Sequence, residues 1–326
     1  MNKKAANLLK YSLTTALAVV LVWFAFRGVD WKAFWEGLQQ TRWIWIAFYF
    51  VAAVLALVFR EERWRCLMRP LDPEIRPLSV WDAINVGNLI NVVLPGAGEF
   101  VRCGYVSSKR MGYEKALGTL VSERLSDVVA ILLLLILSLV LKQDSFGPFF
   151  AENLWGPMSE RLGGALVWIV AAVVVVLAAF VWGVFRLRGR VRLFTRIADA
   201  LKGLGTGVAS IVKMERKWLF ALNTLGIWAM YVLMMWCTIR ALPMLDSLGM
   251  VDALFLSAVG NLASVIPVPG GIGAYHYLVA LSLQSLYGVS WDTGILTATL
   301  GHEAHAILII LLGVASYIRF SLRKKK

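Results

Sequence analysis

Charge is what this chain has least of. Only 16% of its 326 residues are Asp, Glu, Lys or Arg, and 59% are hydrophobic. An ordinary soluble domain is about a quarter charged. The deficit argues against a soluble enzyme, and the mean hydropathy of +0.71 makes a polytopic membrane protein the expected class. Cysteine is also rare. Cys66, Cys103 and Cys237 have no CxxC spacing, so they read as small apolar residues and not as a zinc or redox site. The glycine-rich "GLGTGVAS" (203–210) lacks the lysine of a phosphate-binding loop, which argues against a nucleotide site. The zinc-protease pattern HExxH is missing too, because "GHEAH" (301–305) spaces its histidines three apart. No cofactor and no metal is therefore expected. The basic, apolar start "MNKKAANLLKYSLTTALAVVLVWFAFRG" has no small-x-small cleavage site and reads as a retained first helix.

Acids are outnumbered, giving a net charge of +13. The basic residues lie between apolar segments, as membrane anchors do, which argues against nucleic acid as a partner. Apolar stretches near the ~20 residues that span a bilayer run over 8–26, 43–59, 116–141, 165–185, 218–239 and 293–318. Two further apolar regions, 80–112 and 251–287, are each interrupted by proline and glycine. The first break is "LPGAGE" (94–99) with Pro95, Gly96 and Gly98. The second is "IPVPGGIG" (266–273) with Pro267, Pro269, Gly270, Gly271 and Gly273. Suppose each broken region enters and leaves the membrane on one side. The N-terminus and segments 60–80, 102–115, 186–217 and 319–326 then share a side and hold 26 Lys and Arg. Segments 27–42, 142–164 and 240–250 hold 6. That asymmetry predicts cytoplasmic termini. The loop 186–217 reads as a basic segment on the inner leaflet. Tryptophans near span ends, Trp168 among them, read as interfacial anchors.

The expected fold is therefore an all-α polytopic membrane bundle. It has six full spans plus two re-entrant broken helical hairpins in an inverted repeat. A single domain fills the chain, with half one at about 43–141 and half two at about 218–318. Paired broken segments in corresponding halves point to a transport site. Asn85, Asn88 and Asn91 precede the first break, and Asn261 precedes the second. A helix restarting after the first break aims amides at an anion. Arg102, three residues after Glu99, either pairs with it or grips a phosphate. "SERLSD" places Glu123, Arg124 and Asp127 in about one turn of an apolar span, where unpaired charge is costly. They read as an anion contact, a proton relay, or a structural ion pair. His302, Glu303 and His305 read as a titratable cluster or a polar seam. His276 follows the second break as Glu99 follows the first.

Three motifs in order, "NxxLPGxGExxR", "ERLxD" and "PxPGGIGAY", resemble the flippase-like family that forms the membrane region of lysylphosphatidylglycerol synthases. The resemblance spans about residues 10–320. It implies a lipid-flipping or lipid-linked transport protein of a bacterial inner membrane. It carries over to Asn88, Pro95, Gly98, Glu99, Arg102, Glu123, Arg124, Asp127, Pro269, Gly270, Gly271 and Gly273. His276 departs from the pattern, because family members often have a glutamate there. The chain ends at "RFSLRKKK" with no soluble catalytic domain, so synthase activity is not inherited. The implied partners are membrane lipids with an anionic headgroup, and a homo-oligomer stays open. The competing readings are a lipid-modifying membrane transferase, which lacks a donor site, and an accessory subunit of an envelope-lipid pathway.

Overall fold

The computed structural model describes residues 3–143 and 215–323, except 264, 265 and 267, together with 175, 182, 183 and 186. Side chains are described from residue 15 onward. Those isolated positions and the 215–217 end aside, the expected span 165–185, the basic loop 186–217, the glycine-rich stretch 203–210, Trp168 and Pro267 lie outside the described residues. The chain divides into two compact units, Met1–Ser138 with Arg216–Lys326, and Leu139–Glu215.

The described residues of the first unit form helices and no strands. Helix α1 covers Lys3–Phe26. The short α2 (Trp31–Gln39) starts at Asp30, whose carboxylate accepts from the amides of Lys32 and Ala33. Then come α3 (Trp43–Met68), α4 (Pro77–Val93), α5 (Ala97–Val106) and α6 (Tyr113–Leu141). Proline opens α4, where its missing amide costs nothing. The later helices are α7 (Lys217–Ala241), α8 (Met250–Leu262), α9 (Ala274–Tyr287) and α10 (Trp291–Arg323). Helices α3, α6, α7 and α10 are long and apolar enough to cross a membrane, and each contains one expected span. Shorter apolar helices are α8 and the stretch Thr15–Phe26 of α1. The described residues are those of an all-helical membrane protein.

Both expected breaks are present. Helix α4 stops at Val93, Pro95 and Gly96 turn the chain, and α5 returns along α4. The two helices cross at Gly98. A Cβ there would lie 1.8 Å from the carbonyl oxygen of Gly87, so only glycine permits this approach. At the second break, Pro269–Gly271 form one 3-10 turn before α9. Gly273 has φ +80°, and a Cβ on it would meet the backbone nitrogen of Val22 in α1 at 2.6 Å. The 3-10 turn packs against α4, with a Cβ on Gly270 falling 3.8 Å from the carbonyl oxygen of Val92. The two breaks are therefore neighbours.

The connections gather at two ends. At one end Arg42 grips Asp246 through two bonds of 2.8 and 2.7 Å, the Asp30 amide donates to Asp292, and Trp291 Nε1 donates to the Ala25 carbonyl. At the other, Ser108 donates to Asp72, Arg110 pairs with Glu74, and Arg319 pairs with Asp82. For the described segments this is the grouping that the Lys and Arg distribution predicts, while 142–164 and 186–217 lie almost wholly outside them. One detail differs. With no proline before Pro70, α3 continues to Met68, so Arg60 and Arg63 lie within a helix and not in a loop. Together with Arg102 they turn inward. The charge asymmetry survives without them.

Candidate functional site

Four arginines and three carboxylates meet beside the first break. Helix α3 contributes Arg60 and Arg63, one turn apart on one face. Helix α5 contributes Glu99 and Arg102, and α6 contributes Glu123, Arg124 and Asp127. Glu123 is the hub, with its side chain fully buried. It accepts from Arg60 Nε at 3.2 Å, from Arg63 Nη2 at 3.3 Å and from Arg102 Nη2 at 2.8 Å. Arg63 also donates to Asp127 at 2.7 Å. Glu99 bridges two cations, with Arg102 and Arg124 each at 2.7 Å. Arg124 stands 3.5 Å from Asp127. Trp64, one residue beyond Arg63, holds Arg102 in place. Its ring lies 4.5 Å from the guanidinium carbon, and its Nε1 donates to Thr119 at 3.0 Å.

A single charge costs about 2.5–3.5 kcal/mol or more in the membrane interior. Pairing offsets that cost, but here the pairing is incomplete. Among the described residues, four guanidiniums face three carboxylates, a formal excess of one positive charge. The Nε atoms of Arg63 and Arg102 are buried without an acceptor among the described residues. Burial is also uneven. Arg63, Arg102 and Glu123 are sealed in, whereas the Arg124 side chain is 45% exposed, with Glu99 and Asp127 partly exposed beside it. Helix α6 approaches α3 and α5 mainly through these long side chains, with little close backbone contact. The arrangement is a buried ion network with one partly exposed edge at Arg124.

The α5 helix end contributes less than expected. The Ala97 amide donates to the Leu94 carbonyl, and the Gly98 amide donates to Asn91 Oδ1 at 2.8 Å. Asn91 thus caps its own hairpin and takes an amide that an anion would otherwise use.

A second cluster lies beside the second break. His276 is the third residue of α9, as Glu99 is of α5. It meets His302 and Glu303 of α10. His302 Nδ1 lies 2.9 Å from Glu303 Oε1, and His302 Nε2 lies 2.9 Å from the Gly270 carbonyl oxygen. His276 Nε2 stands 4.0 Å from Glu303 Oε1, and the two imidazole centroids are 4.9 Å apart.

Of the residues singled out in the sequence, Glu99, Arg102, Glu123, Arg124 and Asp127 form the first cluster, and His276, His302 and Glu303 form the second. Asn88 stays outside both, half-buried on α4 with no side-chain hydrogen bond among the described residues. His305 does not join the three-residue cluster. Pro95, Gly96, Gly98, Pro269, Gly270, Gly271 and Gly273 line the breaks. Sequence reasoning missed Arg60, Arg63, Trp64 and Thr119. Their signal was the spacing of Arg60, Arg63 and Trp64 at i, i+3 and i+4 inside a helix that had no reason to stop.

Fold and site together define an all-helical membrane protein with a charged cluster at a helix break. The family model described as lysylphosphatidylglycerol synthase TM region matches residues 11–313, and the chain belongs to that family. No curated protein and no solved structure matches it.

Proposed function

We propose that the protein is a flippase that moves an anionic phospholipid or lipid-linked headgroup across the bacterial inner membrane without altering it covalently. One observation carries this reading. The cluster beside the first break holds one more guanidinium than carboxylate, in an apolar bundle, with Arg124 at its open edge. A phosphate oxygen reaching that edge balances the excess charge. Arginine is the side chain best suited to grip it in a two-bond fork. Glu99 competes for the same cations and gives the headgroup a way to leave.

On this reading the α4–α5 and α8–α9 hairpins are re-entrant, one from each side. The chain is one transport domain of six spans and an inverted repeat, with both termini cytoplasmic. The contact between the two breaks supports it, since transporter sites lie where broken helices meet near the midplane. The sequence holds no ATP-binding motif, so the driving force is a gradient or downhill exchange.

The test is lipid scrambling in proteoliposomes, using labelled anionic and zwitterionic phospholipids and a polyprenyl phosphate. Wild type should move an anionic lipid. Arg124→Gln and Glu99→Gln should slow that movement about tenfold or more, the worth of one charge-assisted hydrogen bond, while reconstituting normally. Unchanged rates in both variants would leave the cluster as a structural lock and reject the site. A chemically altered lipid in the vesicles would reject the transport reading in favour of an enzyme.

A further inference from the structure

The second cluster has the donor set of a metal site. The chain has three histidines, and two of them converge on one carboxylate from separate helices. His276, His302 and Glu303 each place one ligand atom within 4.8 Å of the others. We propose that these three side chains bind a divalent transition-metal ion, with zinc the best match to two imidazoles and a carboxylate.

Three observations carry this. The first is the donor chemistry. Two nitrogens and one carboxylate oxygen form a recurrent zinc ligand set, whereas magnesium and calcium prefer all-oxygen sites. The second is the orientation of His302. The Gly270 carbonyl can only accept, so His302 Nε2 carries a proton and donates to it. Nδ1 lies 2.9 Å from Glu303 Oε1, and an arriving ion displaces any proton that the two share. A ligating histidine that donates its other N–H to a backbone carbonyl is the usual outer-shell arrangement of metal sites. The helix break supplies that carbonyl, because Gly270 lies in the non-helical turn. The third is the state of His276. Its side chain is 1% exposed. Its Nδ1 has no hydrogen-bond partner among the described residues, and its Nε2 stands 4.0 Å from Glu303, beyond hydrogen-bond reach. A buried imidazole with no hydrogen bond to either nitrogen among the described residues is available to ligate an ion.

The site is also reachable. Glu303 is 47% exposed along its side chain, so the cluster opens on one side. Three protein ligands leave a fourth position free, as zinc sites that bind water or a substrate oxygen do. The binding claim does not depend on the transport reading. If both hold, the ion supplies beside the second break the positive charge that arginines supply beside the first.

The test uses the full chain, purified in nanodiscs and stripped with chelator. Zinc uptake is measured by calorimetry and metal analysis, and cobalt loading by visible spectroscopy. Wild type should take up about one ion per chain, and its cobalt form should show the intense bands of a tetrahedral site. His276→Ala, His302→Ala and Glu303→Gln should each weaken binding about tenfold or more. His305→Ala should not. Glu303→Gln is nearly isosteric and partly exposed, so it decides the matter if a histidine variant elutes aggregated. No uptake by wild type above empty nanodiscs would overturn the site. So would Glu303→Gln with wild-type affinity and an unchanged cobalt spectrum.

Discussion

At the scale of the residue, Glu123 and Arg124 are neighbours with opposite energetic roles. Glu123 is fully buried and is the shared acceptor of Arg60, Arg63 and Arg102. Removing its charge strands Arg60 in an apolar bundle and leaves Arg63 and Arg102 with one carboxylate each, whereas Arg124 keeps solvent on one side. Glu123→Gln should lower stability by about 3–5 kcal/mol, the usual cost of breaking a buried pair from one side. Arg124→Gln should cost no more than about 1 kcal/mol, as exposed pairs do. Thermal unfolding in detergent measures both, and equal losses would contradict the burial argument. The same contrast explains what the sequence revealed. Glu99, Arg102, Glu123, Arg124 and Asp127 stand out because charge is scarce in apolar spans. Arg60 and Arg63 do not stand out, because they follow an apolar run at a place where basic anchors are expected. Only the rotation of α3 separates them from Arg65 and Arg69, which pair with Glu62 instead. The meeting of His276 with His302 and Glu303 is a tertiary contact between α9 and α10, and no local spacing encodes it.

At the scale of the element, the breaks were legible because proline and glycine act locally. The closeness of α4 and α5 was not, since it depends on Gly98 meeting Gly87 across the hairpin. Gly98→Ala should force the two helices apart and lower the melting temperature sharply, because the clash is with backbone. Gly104→Ala on the same helix meets nothing within 4 Å and should be neutral or stabilising by up to about 1 kcal/mol. Similar effects at both positions would sink the close-packing account. A second element-level contact is the Arg42–Asp246 pair, which ties the start of α3 to the turn after α7. Its hydrogen bonds from Arg42 hold the Asp246 carboxyl below its ordinary value of 3.8. A carboxyl shifted down stabilises the fold above that ordinary value. The contribution is lost as pH falls through the lower folded value. Asp246→Asn should therefore melt slightly below wild type at neutral pH. The gap should shrink with added salt and close in strong acid. A gap that persists unchanged in acid would mean that the ion pair is not its source.

At the scale of the whole molecule, the topology rests on which connections share a side. Residues 72–82, 105–110 and 316–323 meet at one end through Ser108–Asp72, Arg110–Glu74 and Arg319–Asp82. Residues 25–42, 240–250 and 290–293 meet at the other through Arg42–Asp246 and Asp30–Asp292. The first end carries the Lys and Arg excess, and translocating such loops is disfavoured, so the proposed topology puts it on the cytoplasmic side. The three native cysteines are buried, which leaves a quiet background for labelling. Arg76, Lys109 and Ser247 are exposed. In intact cells a membrane-impermeant maleimide should label the Ser247→Cys variant. The Arg76→Cys and Lys109→Cys variants should label only after permeabilisation. The pair Arg76 and Lys109 flanks the first hairpin, and a shared side is what re-entry, or two full crossings, requires. Labelling of one without the other would make α4 and α5 a full crossing. The two halves would then have lost their inverted relation, and with it the reason to place a headgroup between the breaks.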